Sequence, residues 1–197
     1  MAYDTERQVL RYVNRYFMIP VFRLGLGALI VNPFSGYIMV IKTIGHKTGA
    51  ERFTPTNYAI QNGNVYCLAG AGPMAHWYRN LRANPRVELI MPGGNMTGIA
   101  EEVTDPDERL NAIRRLLKNS GLAGFWMGLN PYTAPDKVVV EKCQNAPVIR
   151  IRPAGIRSGP ADPGGWLWLL WGGLSLLPIL IRWLGRKRKC CQTRATR

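Results

Sequence analysis

The chain has 197 residues, of which 47% are hydrophobic and 19% charged, so it can bury one sizeable core and is too apolar to be disordered. Its four cysteines contain no Cys-x-x-Cys pair, which argues against a zinc ribbon and against a disulfide-stapled secreted module. The net charge is +14, and half of it lies in residues 157–197. The terminal basic cluster there directly follows an apolar run, which favours a membrane surface over nucleic acid as the partner. We therefore expect one main domain in a reducing compartment and no nucleic-acid partner.

Residues 1–34 form the predicted N-terminal helical segment. Val9, Val13 and Phe17 recur at near-helical spacing with arginines between them, which predicts an amphipathic helix over 5–17 that Pro20 stops. A second short helix is expected over 21–31. The segment either covers one end of a barrel or offers a second surface for lipid. Early charged residues and a broken apolar stretch argue against a cleaved signal peptide, so we expect the main domain in the cytoplasm.

The pattern then changes to the alternation of β-strands. Six strands are predicted, over 37–44, 53–60, 65–69, 86–90, 96–103 and 148–151. Asn62-Gly63 signals a hairpin turn, and the glycine pair at 93–94 marks a second hairpin. Antiparallel hairpins with helices between them predict an α+β fold, a small barrel with flanking helices, over 35–156.

Three further segments connect these strands. A helix is expected after Pro73. Another begins with Asp105 as N-cap, has Pro106 at its first position and Glu108 at the capping-box position, and runs to Asn119. A short helical piece is expected over 122–129, and residues 130–147 are predicted to form a loop that passes through Pro131 and Pro135.

The last part of the chain is predicted to attach to a membrane. Residues 157–163 form a linker, 164–185 a transmembrane or membrane-anchoring helix, and 186–197 a basic tail suited to anionic lipid. The charge-free run 164–181 just matches a hydrocarbon core of roughly 30 Å at about 1.5 Å per residue. The basic tail predicts a cytoplasmic C-terminus. If the main domain is cytoplasmic as well, there are two possibilities. Either the basic tail crosses the membrane despite its charge, or residues 164–185 enter the membrane and leave it on the same side.

Two stretches carry candidate chemistry. Residues 45–52 lie between two strands and place Lys47, Thr48 and Arg52 around glycines, which suits a phosphate as well as it suits a solvated basic turn. Residues 69–85 place small side chains before a helix on which Trp77 and Asn80 share a face, so a planar ligand could lie there. Trp77 could equally belong to the apolar face by which the helix packs on the core. No residues have the spacing of a metal site.

Together these stretches resemble a known family. The order Gly-x-Lys-[Ser/Thr]-Gly-x-x-Arg-x-x-Pro at 45–55, followed by Trp-Tyr-x-Asn-Leu-x-Ala-Asn-Pro at 77–85, is similar to the deazaflavin-dependent nitroreductase family. The resemblance covers roughly 36–151. It implies a flavin-binding-like split β-barrel and the deazaflavin coenzyme F420, a hydride carrier, with flavin mononucleotide as the second choice. Split barrels commonly pair, which leaves a homodimer open.

The resemblance also implies a set of site residues. Lys47, Thr48 and Arg52 would hold the cofactor's phosphate and acidic tail, with Gly49 giving access. The pocket for the rest of the cofactor would be lined by Pro55, Asn57, Ala69, Gly70, Trp77 and Asn80. Tyr132 is a candidate proton donor or substrate lid, the alternative being an ordinary exposed loop tyrosine.

The expected reaction is hydride transfer from the reduced deazaflavin to a lipophilic quinone, enone or nitro acceptor beside the membrane. His46 stands where the family usually has arginine, and residues 69–73 lack the family's polar side chains. Two alternatives stay open, the first favoured by these departures and the second by the basic tail alone. One is a non-enzymatic fatty-acid or lipid carrier on the same barrel, and the other is a membrane adaptor that acts through its basic tail.

Overall fold

A computed structural model describes residues 9, 12–126, 128, 130–157 and 178. The strands are β1 (Ile38–Ile44), β2 (Glu51–Gln61), β3 (Asn64–Leu68), β4 (Arg86–Met91), β5 (Gly94–Glu102) and β6 (Val148–Arg157). The α-helices are α1 (Ile19–Arg23), α2 (His76–Ala83), α3 (Pro106–Asn119), α4 (Leu122–Trp126) and α5 (Asp136–Cys143).

The six strands close into one antiparallel barrel in the order β1-β2-β3-β6-β5-β4. β4 returns to pair with β1, and β6 lies between β3 and β5. The barrel with flanking helices is the predicted architecture and agrees with a split barrel. The final strand is longer than expected, because its outer half continues to pair with β5 as far as Asn95 opposite Arg157.

Strand alternation gives the barrel two different faces. Met39 and Ile41 point into the barrel core, which α2 covers with Tyr78 and Leu81. The outward residue Val40 instead packs under the N-terminal segment, against Phe22. A second outer layer is formed by α3 and α5, which bury Tyr66 and Ala59.

Two local predictions are confirmed in detail. Asn62 and Gly63 both have positive φ, 51° and 76°, as the two-residue hairpin turn between β2 and β3 requires. The Asp105 carboxylate accepts a hydrogen bond from the backbone N–H of Glu108 at 2.7 Å, which caps α3.

The prediction that Pro20 stops the first helix is wrong. The chain stays helical over residues 12–23, and Pro20 lies in the first turn of α1. A π-helical turn, Asn14–Met18, precedes it, and the Ile19 N–H reaches the Asn14 carbonyl. This local change of hydrogen-bond register accommodates a residue that has no N–H of its own. The second helix expected over 21–31 is reduced to the end of α1 and a 3₁₀ turn, Gly27–Leu29.

The loop expected over 130–147 contains a helix that the sequence reading missed. α5 begins directly after Pro135 and buries Val139 and Cys143 against α3. The preceding helix α4 ends at Trp126, earlier than expected. Pro135 is thus compatible with the helix, because it comes just before the first turn of α5.

Most of the predicted membrane anchor, 164–185, and the whole basic tail, 186–197, lie outside the described residues, as does the linker beyond residue 157. Within the described residues, none of the helices combines the length and the apolar character needed to cross a bilayer.

Candidate functional site

The turn between β1 and β2 forms one wall of a groove. Gly45 donates its N–H to the Ala50 carbonyl at 2.8 Å, and its own carbonyl accepts from Gly49 at 2.8 Å. Gly49 has φ +66°, a conformation that favours glycine. A side chain at Gly45 would meet Thr48 Oγ1 at 3.0 Å. The glycines of the motif are therefore explained by the turn itself.

The groove runs between this turn, the start of β2 and the first turns of α2, and its volume is about 430 Å³. Its lining residues are Gly45, His46, Lys47, Thr48, Arg52, Phe53, Thr54, His76, Trp77 and Asn80. Five of the ten predicted cofactor residues, namely Lys47, Thr48, Arg52, Trp77 and Asn80, thus line a single cavity. Gly49 adjoins it in the turn.

The charge in the groove is of one sign. Lys47 is exposed, and in the described part of the chain neither the side chain of Lys47 nor that of Arg52 forms an ion pair or a hydrogen bond with another residue. None of the ten lining residues, all of them described, has a carboxylate. Other basic side chains are neutralised within the protein, as Lys42 is by Glu51 at 2.6 Å. Two unpaired cations facing one cavity are suited to an anionic ligand.

Asn80 joins the helix to the turn. It is 4% exposed, and its Oδ1 accepts a hydrogen bond from the backbone N–H of His46 at 3.1 Å and lies 2.9 Å from Nδ1 of the same residue. Its Nδ2 donates to Thr43 Oγ1 at 3.1 Å, and Thr43 is 1% exposed. Both the oxygen and the nitrogen of the amide therefore have partners inside the protein. The amide fixes the position of the turn relative to α2.

Pro55 and Asn57 lie on the other face of β2. Arg52 pairs with Thr43 and Pro55 pairs with Val40, so alternation puts Pro55 on the outer face of the sheet. Asn57 shares that face, and its Nδ2 donates to the Tyr37 carbonyl at 3.4 Å. The structure therefore does not bring these two residues into the groove. Their cofactor roles remain predictions.

Residues 69–80 divide between core and surface. Ala69 is completely buried in the barrel core, whereas a side chain at Gly70 would meet open space. Neither residue lines the groove, and their cofactor roles stay predictions. Trp77 both lines the groove and packs against the barrel core. The two predicted roles of Trp77, contact with a ligand and packing on the core, are thus compatible.

Tyr132 lies in the connection between α4 and α5, 65% exposed, with Lys118 Nζ 5.9 Å from its ring centroid. It is not among the groove residues. Its role as proton donor or lid stays a prediction.

Five groove residues were not among the predicted site residues, namely Gly45, His46, Phe53, Thr54 and His76. Thr54 shares a strand face with Arg52, because the two are two positions apart on β2, and this signal was available in the sequence. His76 begins α2 beside Trp77. His46 was noted only as a departure from the family pattern, and its pairing with Asn80 depends on a contact between residues 34 positions apart.

Fold and site together define a barrel protein with a cationic groove at the β1–β2 turn. The sequence model of the F420H(2)-dependent quinone reductase family matches residues 21–122, more than half of the chain. The chain belongs to this family, and it is an F420-dependent oxidoreductase. Coenzyme F420 is its cofactor, while nothing supports flavin mononucleotide.

Three solved structures are similar to this chain at a distance. A conserved hypothetical protein from Mycobacterium tuberculosis has 21% identity and a TM-score of 0.47, covering 66% of this chain and 79% of that one. An F420 reductase has 19% identity and a TM-score of 0.43, covering 66% and 94%. An F420-H2-dependent reductase, FDR-A, has 21% identity and a TM-score of 0.38, covering 58% and 93%. These likenesses are too distant to carry a functional argument.

Family membership decides between an oxidoreductase and the two non-enzymatic alternatives, the lipid carrier and the membrane adaptor, in favour of the oxidoreductase. The acceptor, the membrane attachment, the cytoplasmic location and the homodimer are not addressed by the comparisons. They stay predictions.

Proposed function

We propose that this protein is a membrane-attached reductase that passes a hydride from reduced coenzyme F420 to a lipophilic quinone, with enones and nitro compounds as further acceptors. The observation that carries the proposal is the groove at the β1–β2 turn, where Lys47 and Arg52 are unpaired within the described residues and no lining residue has a carboxylate.

The residues of the groove fit the cofactor's anionic part. Lys47 and Arg52 provide two positive charges and Thr48 a hydroxyl donor, around a turn whose glycines bring the backbone close. Charge-assisted hydrogen bonds of this kind are each worth roughly 1.5–3 kcal/mol. The indole of Trp77, half-buried between groove and core, offers an apolar surface for a planar ring.

When bound, the reduced deazaflavin supplies the hydride, so the protein needs to provide orientation and a dry site. Lys47, Thr48 and Arg52 would fix the anionic end of the cofactor. Asn80 would act indirectly, because its amide is occupied by His46 and Thr43 and holds the turn in place. No acid or base is required for the hydride step itself, and we assign Tyr132 no more than a candidate role in proton delivery.

Membrane attachment is the second part of the proposal. It is supported by the charge-free run 164–181, by Trp166 and Trp183 near its two ends, and by the cations at 186–189. A cytoplasmic main domain at the inner surface of the cell membrane would have quinones at high local concentration.

The cofactor assignment is tested by titrating the protein with oxidised coenzyme F420 and following its fluorescence. Lys47→Ala and Arg52→Ala should each weaken binding about tenfold or more. Lys137→Ala is a matched control, because Lys137 is an exposed cation at the start of α5 and not a groove residue. Equal affinity in the wild type and both groove variants would contradict the proposed site.

The acceptor is tested separately. Reduced F420 is mixed with the protein and a menaquinone analogue, an enone or a nitroaromatic compound, and the recovery of the oxidised cofactor's absorbance is followed. We expect the quinone to be reduced fastest. An enzyme that reduces the nitroaromatic but not the quinone would contradict the proposed acceptor class and leave the cofactor assignment intact.

A further inference from the structure

We propose that one face of the N-terminal helical segment is a docking surface for an anionic lipid bilayer, and that it sets the orientation of the barrel on the membrane. The surface consists of five large apolar side chains, here called the N-terminal stripe: Val9, Tyr12, Val13, Tyr16 and Phe17. The inference rests on the membrane attachment in the proposed function and deepens it by naming a second contact and its partner.

The stripe has the spacing of an amphipathic helix. Its members fall at positions i, i+3, i+4, i+7 and i+8, which lie along one face of a helix, and Val9 and residues 12–23 are helical. The rings of Tyr12 and Tyr16 stack with their centroids 6.0 Å apart, as neighbours on one face do. In a globular protein such a face normally packs on the core. Here every member is exposed, from 43% for Val13 to 66% for Tyr16.

The opposite face of the same helical segment already covers the barrel. Met18 and Phe22 are buried in one cluster with Val40 and Ile90, whereas none of residues 12–17 is buried. Because Met18 and Phe22 hold the segment on the barrel, the stripe points away from it. The stripe is therefore left for an occupant other than the barrel core.

Charge favours an anionic lipid surface as that occupant. Residues 8–50 contain no aspartate or glutamate and five cations, namely Arg11, Arg15, Arg23, Lys42 and Lys47. Among the described residues, Arg15 and Arg23 form no ion pair and lie over aromatic rings, 5.6 Å from the centroid of Tyr16 and 5.1 Å from that of Phe53. A second copy of a chain with net charge +14 would add positive charge at this face, whereas anionic headgroups would neutralise it.

The dimensions indicate a helix that lies on the membrane. Residues 12–23 span about 18 Å at about 1.5 Å per residue, less than a hydrocarbon core of roughly 30 Å. Tyrosine suits the headgroup level, since its ring is apolar and its hydroxyl polar. A short apolar face of this kind binds reversibly, and stable attachment takes a second signal. The stripe would thus orient the domain, while the predicted anchor over 164–185 would hold it.

Phe53 connects the stripe to the groove. Its residue lines the groove at the start of β2, and its side chain packs against the cluster that holds Met18 and Phe22. Arg23, at the end of α1, lies over the ring of Phe53. A bilayer on the stripe would therefore lie beside the element that adjoins the groove, which keeps the groove near the phase where a lipophilic acceptor concentrates.

The test is photo-cross-linking of the full chain on vesicles of equal parts phosphatidylcholine and phosphatidylglycerol, without F420 or acceptor. Tyr16→p-benzoylphenylalanine places the reactive group on the stripe, and lipid adducts are counted by mass spectrometry for each vesicle-bound chain. We expect a lipid adduct at position 16. Val140→p-benzoylphenylalanine is the matched control, because Val140 is 45% exposed on α5, outside the stripe, and it should give no lipid adduct.

The headgroup charge is tested by a second measurement. Each arginine near an anionic surface is worth about a factor of five in binding, so the adduct yield at position 16 should fall about fivefold or more on vesicles of phosphatidylcholine alone. Adding Arg15→Gln should lower the yield on the mixed vesicles by up to about fivefold, whereas Lys137→Gln, an exposed cation on α5, should not change it. A yield that does not depend on headgroup charge would contradict the anionic partner.

The remaining outcomes separate this inference from the proposed function. A chain that sediments with the vesicles but forms no lipid adduct at position 16 overturns the inference and leaves the proposed anchor intact. Cross-links from position 16 to protein instead of lipid, or equal lipid adducts at positions 16 and 140, overturn it as well. A chain that does not bind the vesicles overturns both the inference and the anchor, while the F420 titration still decides the cofactor site on its own.

Discussion

Arg150 Nη1 donates hydrogen bonds to both carboxylate oxygens of Glu108, at 2.7 and 2.9 Å, and so ties strand β6 to the first turn of α3. Tyr66 donates to the same carboxylate at 2.7 Å from β3, and Glu101 binds Arg150 Nε at 2.6 Å from β5. Four elements thus meet at one partly buried charge cluster on the outside of the barrel.

Breaking this cluster should destabilise the protein. Arg150→Met removes the shared partner of two carboxylates, each less than one third exposed, and leaves them, among the described residues, with Tyr66 and Arg152 alone, so it should lower the free energy of unfolding by about 1–3 kcal/mol. Arg152→Met is the matched control: its side chain is 61% exposed and pairs with Glu101, so we expect a loss of about 0–1 kcal/mol. Urea denaturation of both variants checks the prediction, and equal losses would contradict it.

The protein should become less stable in alkali. Burial and the hydrogen bond to Glu108 raise the pKa of Tyr66, and burial with the hydrogen bond to Glu102 raises the pKa of Tyr78. Unfolded tyrosine ionises near pH 10, so above about pH 10 the unfolded chain loses these protons first. The contribution of these two tyrosines to the free energy of unfolding should therefore be constant below that value and fall as pH rises through their folded pKa values.

The double variant Tyr66→Phe/Tyr78→Phe should show a shallower fall between pH 10 and 11 in urea denaturation. Some slope should remain, because the hydrogen bond to Glu51 raises the pKa of Lys42 and acts in the same direction. A slope equal to that of the wild type would show that the two hydroxyls do not cause the effect.

Gly98 should be intolerant of a side chain. It follows a register shift in β5, and an added Cβ would lie 2.6 Å from Ile151 Cγ2 and 2.9 Å from the Arg152 carbonyl oxygen. Gly98→Ala should cost about 1–3 kcal/mol of stability, because β6 would have to move. Gly70→Ala, where the added atom meets open space, should change stability by less than about 0.5 kcal/mol. Thermal denaturation distinguishes the two.

Ending the chain at Gly159 should release a protein that stays in the supernatant after cell breakage and binds F420 as tightly as the full chain does. The reason is that β6 completes the barrel by Arg157 and every groove residue precedes it. The full chain should sediment with the membranes. Its recovery in the supernatant would contradict the proposed anchor, and loss of F420 binding on truncation would show that the tail supports the groove.

Local signals in the sequence predicted much of the barrel. The Asn62-Gly63 turn and the Asp105 N-cap depend on neighbours within a few residues, so they could be read directly. Glu108 could not. Its position suggested a capping box, but its carboxylate binds Arg150 and Tyr66, each 42 residues away. Tertiary contacts decided the outcome for Glu108, whereas at Pro20 a local π-helical turn keeps the helix intact.

The site was predictable to the extent that it lies in one turn. Lys47, Thr48 and Arg52 are close in sequence and meet in the groove. Pro55 and Asn57 were chosen by motif position, although their odd spacing from Arg52 already predicts the opposite strand face. The contact between His46 and Asn80 depends on how α2 sits against β1, which no local pattern encodes.

The central position of β6 has a consequence for how the chain folds. β6 is the last strand of the barrel, yet it supplies partners for both β3 and β5, with Val65 opposite Ile151. Such long-range pairs are slow to form, because a large loop must close first and the loss of chain entropy is offset only when the strand contacts form. A nascent chain that has reached residue 147 holds β3 and β5 with open edges. Folding to a closed barrel must then wait for the next ten residues, and until they arrive the unpaired edges of β3 and β5 can pair with another chain.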